Sequence, residues 1–115
     1  MEIIEITRDA VNKALKDPFC KKLSNVAGRC GYELKECFYS MDYDEYRVSL
    51  KEIDEYAPPI NFDEDGNISM GTISYGDLSG KEIDAYIDAL QNARILIEYM
   101  DSIDWSDCPD IDYYL

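Results

Sequence analysis

Apolar residues recur along this chain with two different periods, and the changes of period divide it into elements. After Thr7, a fair helix N-cap, Ala10, Val11, Ala14 and Leu15 fall on one face of a helix. Met1 to Ile6, ahead of that cap, reads as a short edge strand. Pro18 ends the first helical run, and Asp17-Pro18 also supplies the cap and first position of a second short helix. In it Phe19, Leu23 and Val26 recur at helical spacing until Gly28 stops it. From Tyr32 the period drops to two. Tyr32 and Leu34 alternate, residues 37–41 continue the run, a turn follows at Asp42 and Asp44, and Tyr46, Val48 and Leu50 alternate on the return, which predicts a hairpin. Pro58 and Pro59 break the next segment. Ile60 to Phe62 and Ile68 to Tyr75 read as two more strands, joined through Asp65-Gly66, a dipeptide tolerant of the positive φ that a tight turn requires.

The best-defined element opens at Ser79, where Ser79-Gly80-Lys81-Glu82 is a capping box ahead of an apolar run. At about 100° per residue, Ile83, Tyr86, Ile87, Leu90, Ala93, Leu96, Ile97 and Met100 share one broad arc, predicting a helix from Ser79 to about Ser102 that packs on a sheet. Asp84, Asp88, Gln91, Asn92 and Glu98 lie opposite, with Ile95 and Tyr99 set among these acids. The expected fold is therefore α+β: short N-terminal helices, a small, mostly antiparallel sheet between about residues 32 and 75, and a long C-terminal helix on one face of it. A chain of 115 residues matches one domain, residues 1–115, ending in an acidic-aromatic tail over residues 103–115.

Charge changes this picture most. The chain carries a formal net charge of −14, unevenly spread. Residues 1–35 hold seven bases against five acids, whereas residues 36–115 hold 20 acids against Arg47, Lys51, Lys81 and Arg94, giving +2 and −16. Lys13, Lys16, Lys21 and Lys22 read as solvated sides of the first two helices. An acidic body repels phosphate backbones, so direct nucleic-acid binding is not expected, while a basic protein partner is favoured by electrostatic steering. Hydrophobic residues make up 46% of the chain, enough to fold despite the charge. No stretch approaches the roughly 20 apolar residues that cross a bilayer, and acids stand where a secretory leader would be basic, so the expected location is cytoplasmic.

Chemistry is constrained by what is missing. There is no histidine, which excludes Ser-His-Asp and Cys-His catalysis. Cys20, Cys30, Cys37 and Cys108 lack the close pairing of a zinc site and read as reduced, mostly buried thiols. Asp63, Asp65 and Asn67 suggest calcium by their alternation. Counting from Asp63, however, Gly66 falls fourth and Ser74 twelfth, where an EF-hand loop needs glycine sixth and glutamate twelfth. No metal or cofactor is expected. Catalysis by Asp63 with Asp65, or by Cys37, is not expected either, because acids this abundant form chance pairs and no glycine-rich phosphate loop occurs.

Beyond the long helix, Asp101, Asp104, Asp107 and Asp110 recur every third residue, with Asp112 following and no base among them. Threefold spacing stacks side chains only on a 3₁₀ or polyproline helix, and Pro109 opposes an α-helix, so an extended or irregular acidic track is expected. Trp105, Tyr113, Tyr114 and Leu115 either fold back onto the domain or anchor in a partner. The candidate partner-binding residues are Asp84, Asp88, Ile95, Glu98, Tyr99, Asp101, Asp104, Trp105, Asp107, Asp110 and Asp112. In size, charge and the acidic-aromatic composition of residues 36–115, the chain resembles the small inhibitors of phages and mobile elements, including anti-CRISPR and other DNA-mimic proteins. That resemblance implies a non-enzymatic inhibitor presenting carboxylates and rings to a basic nucleic-acid-processing enzyme. An immunity protein or antitoxin that neutralises a basic toxin is the alternative. A monomer or homodimer fits either, although a two-fold interface through Ile95 and Tyr99 would bring the surrounding acids together.

Overall fold

The computed structural model describes residues 5–72 and 75–115. Its elements run α1 (Arg8–Ala14), α2 (Pro18–Arg29), β1 (Tyr32–Ser40), β2 (Glu45–Glu52), β3 (Ile60–Phe62), β4 (Ile68–Met70) and α3 (Gly80–Ser102), followed by two single-turn 3₁₀ helices, Trp105–Asp107 and Ile111–Tyr114. The fold is α+β, with the long helix packed on the sheet layer. That layer is two antiparallel hairpins, β1–β2 and β3–β4, in place of one continuous sheet. Pro59 gives the reason for the short second ladder: it stands just before Ile60, opposite Gly71, and although its carbonyl accepts from Gly71 N–H at 2.7 Å it has no N–H to return the bond, so the ladder ends at the Ile60–Met70 pair. The expected run to Tyr75 thus stops at Met70, and its Ile73 and Ser74 lie outside the described residues. Most of the strand expected at Met1 to Ile6 lies outside them too, and Glu5 and Ile6 carry no regular structure.

Local chemistry accounts for the element ends. Thr7 Oγ1 accepts from Ala10 N–H at 3.1 Å, Asp17 Oδ1 accepts from Phe19 N–H at 2.9 Å with Pro18 opening α2, and Ser79 with Glu82 completes the capping box of α3. α2 does not stop at Gly28. It continues to Arg29, and Gly31, at φ 89°, makes the left-handed exit, its carbonyl accepting from Ile53 N–H at 2.8 Å.

β1 is the strand on which the layers meet. Its register against β2 shifts between Leu34 and Glu36, a bulge that inserts one residue at Lys35. Alternation before the bulge puts Tyr32 and Leu34 on one face; alternation after it puts Cys37 on that same face and Phe38 on the other. Both Cys37 and Phe38 are fully buried. On the first face lies the main core, where Cys20, Leu23 and Ala27 of α2 meet Tyr32, Leu34, Cys37, Val48 and Ile60, and Ala93, Leu96 and Met100 of α3. On the second lies a smaller cluster of Ala10, Ala14, Phe38 and Ile111, so that α1 and the chain terminus share a pocket behind β1.

α3 sits rolled relative to the arc expected from its sequence. Ala89, Ala93, Leu96 and Met100 are its buried residues, Ile97 and Tyr99 pack at the margin, and Ile83 and Ile87 are 45% and 44% exposed. The two alanines let the helix backbone approach the hairpins, and the bulkier isoleucines are left on the rim. Beyond the core its first turns are held by a chain of rings, Tyr56–Tyr75 at 5.5 Å and Tyr75–Tyr86 at 5.3 Å, with Tyr56 Oη donating to Glu82 Oε2 at 3.4 Å.

The two glycines of the α2 exit should respond oppositely to alanine. Gly28→Ala adds a methyl into open space on a helix and is expected to stabilise the fold by roughly 0.5–1 kcal/mol. Gly31→Ala forces a side chain onto positive φ, its Cβ 3.1 Å from Asp54 Cβ, and should cost about 1–2 kcal/mol. Urea unfolding of the two variants checks this; equal effects would remove Gly31 as the helix-terminating residue.

Candidate functional site

The sequence-predicted residues divide into an outward group and an inward one. On α3, Asp84, Asp88, Ile95, Glu98 and Asp101 are exposed, Ile95 by 54%. Helical spacing brings Ile83 and Ile87 to the edge of that same outward side, one turn apart, with Asp101 about five turns beyond Ile83. Glu98 pairs with Arg94 at 3.0 Å, both side chains well exposed, which contributes little to stability. Asp84, Asp88 and Asp101 have no cationic partner among the described residues. The outward side of α3 is therefore a ladder of carboxylates broken by three large aliphatic side chains. Periodicity places Ile83 and Ile87 in the core, whereas both stand exposed at its rim. The signal for that exposure is their place at the rim of the apolar arc, beside Asp84 and Asp88.

Tyr99 and Trp105 turn inward. Tyr99 packs against the main core, and Trp105 stacks edge-on against Phe19 at 5.2 Å and lies 4.9 Å from the Phe62 ring, with its indole N–H donating to the Met100 carbonyl at 2.9 Å. The terminal segment is thus bound to the fold. Cys108, Pro109 and Ile111 are buried, and Tyr39 N–H donates to the Pro109 carbonyl at 2.8 Å. Two aspartates of the threefold series act as caps: Asp104 Oδ1 accepts from Ser106 N–H at 3.0 Å, and Asp110 Oδ1 accepts from Asp112 N–H at 2.9 Å. In place of the extended or irregular track expected here, the segment forms two separate 3₁₀ turns on either side of Pro109, each opened by an aspartate cap. Asp107, the last residue of the first turn, is exposed.

The titration of these acids follows from their settings. Hydrogen bonds from the Ser106 hydroxyl and N–H hold the Asp104 carboxyl below its ordinary range. Asp112 is pushed the other way by desolvation, then by the nearby charges of Asp110 and Asp42, and its Oδ1 is shielded from solvent with no hydrogen-bond partner among the described residues.

The tyrosines are mostly absorbed by the fold. Tyr32 is fully buried and donates to the Pro58 carbonyl, Tyr39 and Tyr46 stack at 4.8 Å, and of the ten only Tyr43 and Tyr113 are exposed large hydrophobics. The other seven are half-buried. Other candidate groups are occupied locally. Asp63 Oδ1 accepts from the N–H groups of Asp65 and Asn67 at 2.9 and 2.8 Å, closing the β3–β4 turn and lowering its pKa. The Cys37 thiol is buried and its pKa raised by the neighbouring Cys108 and Cys20 thiols and by desolvation, so it is not a thiolate nucleophile near neutrality. A groove of about 350 Å³ between α1 and the β1–β2 hairpin is lined by Arg8, Val11, Leu15, Leu34, Lys35 and Arg47 among others, but Lys35 and Arg47 are already paired with Glu33 and Glu45. No helix among the described residues is long and apolar enough to cross a membrane. Compared with known proteins, the chain matches no protein family, no curated protein and no solved structure.

Two measurements test the inward reading of the terminal segment. Trp105→Ala should lower unfolding free energy by about 3 kcal/mol, the scale of an aromatic core truncation; an unchanged melting temperature would place Trp105 outside the core. For Asp112, a folded-state pKa above the unfolded value means the native state holds more protons in that window. Stability then falls as pH rises from the ordinary carboxylate range through the raised value. Wild type should gain melting temperature on going from neutral pH down toward the ordinary carboxylate range by more than Asp112→Asn does; parallel curves would exclude Asp112 as the source.

Proposed function

We propose that this protein is a non-enzymatic inhibitor that acts in the cytoplasm by occupying a basic surface of a nucleic-acid-processing enzyme. The observation that carries the reading is the outward side of α3, where Asp84, Asp88 and Asp101 stand without cationic partners beside exposed Ile83, Ile87 and Ile95. Rows of carboxylates attract the lysines and arginines that line a nucleic-acid groove, raising the association rate. Isoleucines among them supply apolar contact that phosphate cannot, which slows dissociation once the surfaces meet. The rigid helix presents both without an ordering cost on binding. An immunity or antitoxin role would use the same surface against a basic toxin, and competition separates the two: a mimic of nucleic acid must exclude it from the partner.

Affinity capture from bacterial lysate at low and high salt, with the retained protein identified by mass spectrometry and then purified, supplies the partner. Duplex or single-stranded DNA should compete with the acidic protein for that partner, and the quadruple variant Asp84→Lys, Asp88→Lys, Asp101→Lys, Asp107→Lys should associate at least tenfold more slowly at low salt while keeping its circular dichroism. Ile87→Ala with Ile95→Ala should mainly speed dissociation. A captured toxin without affinity for nucleic acid, or binding unchanged by the charge reversal, would overturn the inhibitor reading.

A further inference from the structure

Three thiols from separate parts of the chain meet in the main core. Cys20 on α2 and Cys37 on β1 are fully buried, and Cys108, between the two 3₁₀ turns, is 9% exposed. The Cys20 thiol donates to the Cys37 carbonyl at 3.2 Å, and the Cys20 and Cys108 thiols are both neighbours of the Cys37 thiol in the buried cluster. Backbone register singles out one pair. Tyr39 and Asp110 form a parallel bridge, and parallel partners advance together, so two residues earlier on each segment Cys37 stands opposite Cys108. Neighbouring strands lie about 4.8 Å apart, within the range of about 4.4–6.8 Å that a disulfide spans between Cα atoms.

We propose that Cys37 and Cys108 are a reversible disulfide site that, when oxidised, clamps the terminal segment to β1. The inference goes beyond the inhibitory role and does not depend on it. The oxidant required is a low-molecular-weight disulfide. The Cys108 thiolate, the less enclosed of the two, attacks one sulfur of that oxidant. Its S–S bond breaks, one small thiol leaves, and a mixed disulfide remains on Cys108. The Cys37 thiolate then attacks the Cys108 sulfur and expels the second small thiol. Two protons leave the cysteines and end on the two released thiols, and the two electrons lost by the protein reduce the oxidant. The neighbouring thiols and burial hold the Cys37 thiol protonated, and burial keeps both sulfurs from solvent in the closed fold, so exchange waits on the segment around Cys108 lifting from β1. Once formed, the bridge closes a loop of some seventy residues, where cross-linking restricts the unfolded chain most.

The test is incubation of the folded wild-type protein with oxidised glutathione, followed by intact mass and a non-reducing peptide map. The expected product is lighter by two hydrogens, contains a Cys37–Cys108 cross-linked peptide, melts about 10 °C higher, and reverts with dithiothreitol. Cys20→Ala should form the same cross-link, which keeps the test open even if Cys108→Ala fails to fold. A Cys20–Cys37 bridge, a lasting glutathione adduct on Cys108 without the cross-link, or four free thiols after prolonged oxidation would each overturn the proposal.

Discussion

One inserted residue, Lys35, sets the architecture. A strand with strict alternation offers one face to a core and the other to water. The bulge at Lys35 changes the phase of β1 midway, so that Tyr32, Leu34 and Cys37 serve the main core while Phe38 is delivered, fully buried, to the cluster behind the strand. Because β1 is covered on both faces, α2 and α3 pack from one side, and α1 and the chain terminus from the other. A chain of this length has little core to spare. Here the layers converge on one strand, and the two small hairpins hold together without a continuous sheet.

The position of α3 follows from the same economy of volume. Its small residues, Ala89 and Ala93, face the hairpins, so the helix lies close and its isoleucines are pushed to the solvent side. The surface that results mixes uncompensated negative charge with branched aliphatic side chains, a combination that favours neither solvation nor self-packing. Self-repulsion across a net charge of −14 opposes pairing of two such faces from copies of this chain. A cationic counterpart relieves that repulsion, and the physical case for a basic partner rests on this asymmetry.

Much of the fold is legible in the sequence wherever a local rule suffices. Thr7, Asp17-Pro18 and the Ser79–Glu82 capping box mark three helix starts, and the turns at Asp44 and Gly66, both at positive φ, fall where short polar residues and glycine predict them. Where two local signals compete, long-range contact decides. Spacing and glycine place the stop of α2 at Gly28, and docking of the exit against Ile53 and Asp54 moves it to Gly31. The roll of α3 is hidden for a related reason: periodicity counts isoleucine above alanine, whereas close approach of a helix to a layer favours the smaller side chain. For the candidate site, the acids of α3 are readable from spacing alone, because charge stays outside. The inward turn of Tyr99 and Trp105 is not, since an aromatic ring among aspartates is equally compatible with anchoring in a partner and with packing under its own chain.

The parallel contact between Tyr39 and the Pro109–Asp110 backbone bears on how the protein coexists with other copies of itself. β1 is paired with β2 along one side only, and its other side would expose unsatisfied amides and carbonyls, a template onto which a stray strand can add. Residues 109 and 110 lie over that side, and the aspartates on both sides of them surround it with negative charge. The terminal segment is in this respect a guard against edge-to-edge aggregation, joining a physical cover with an electrostatic fence.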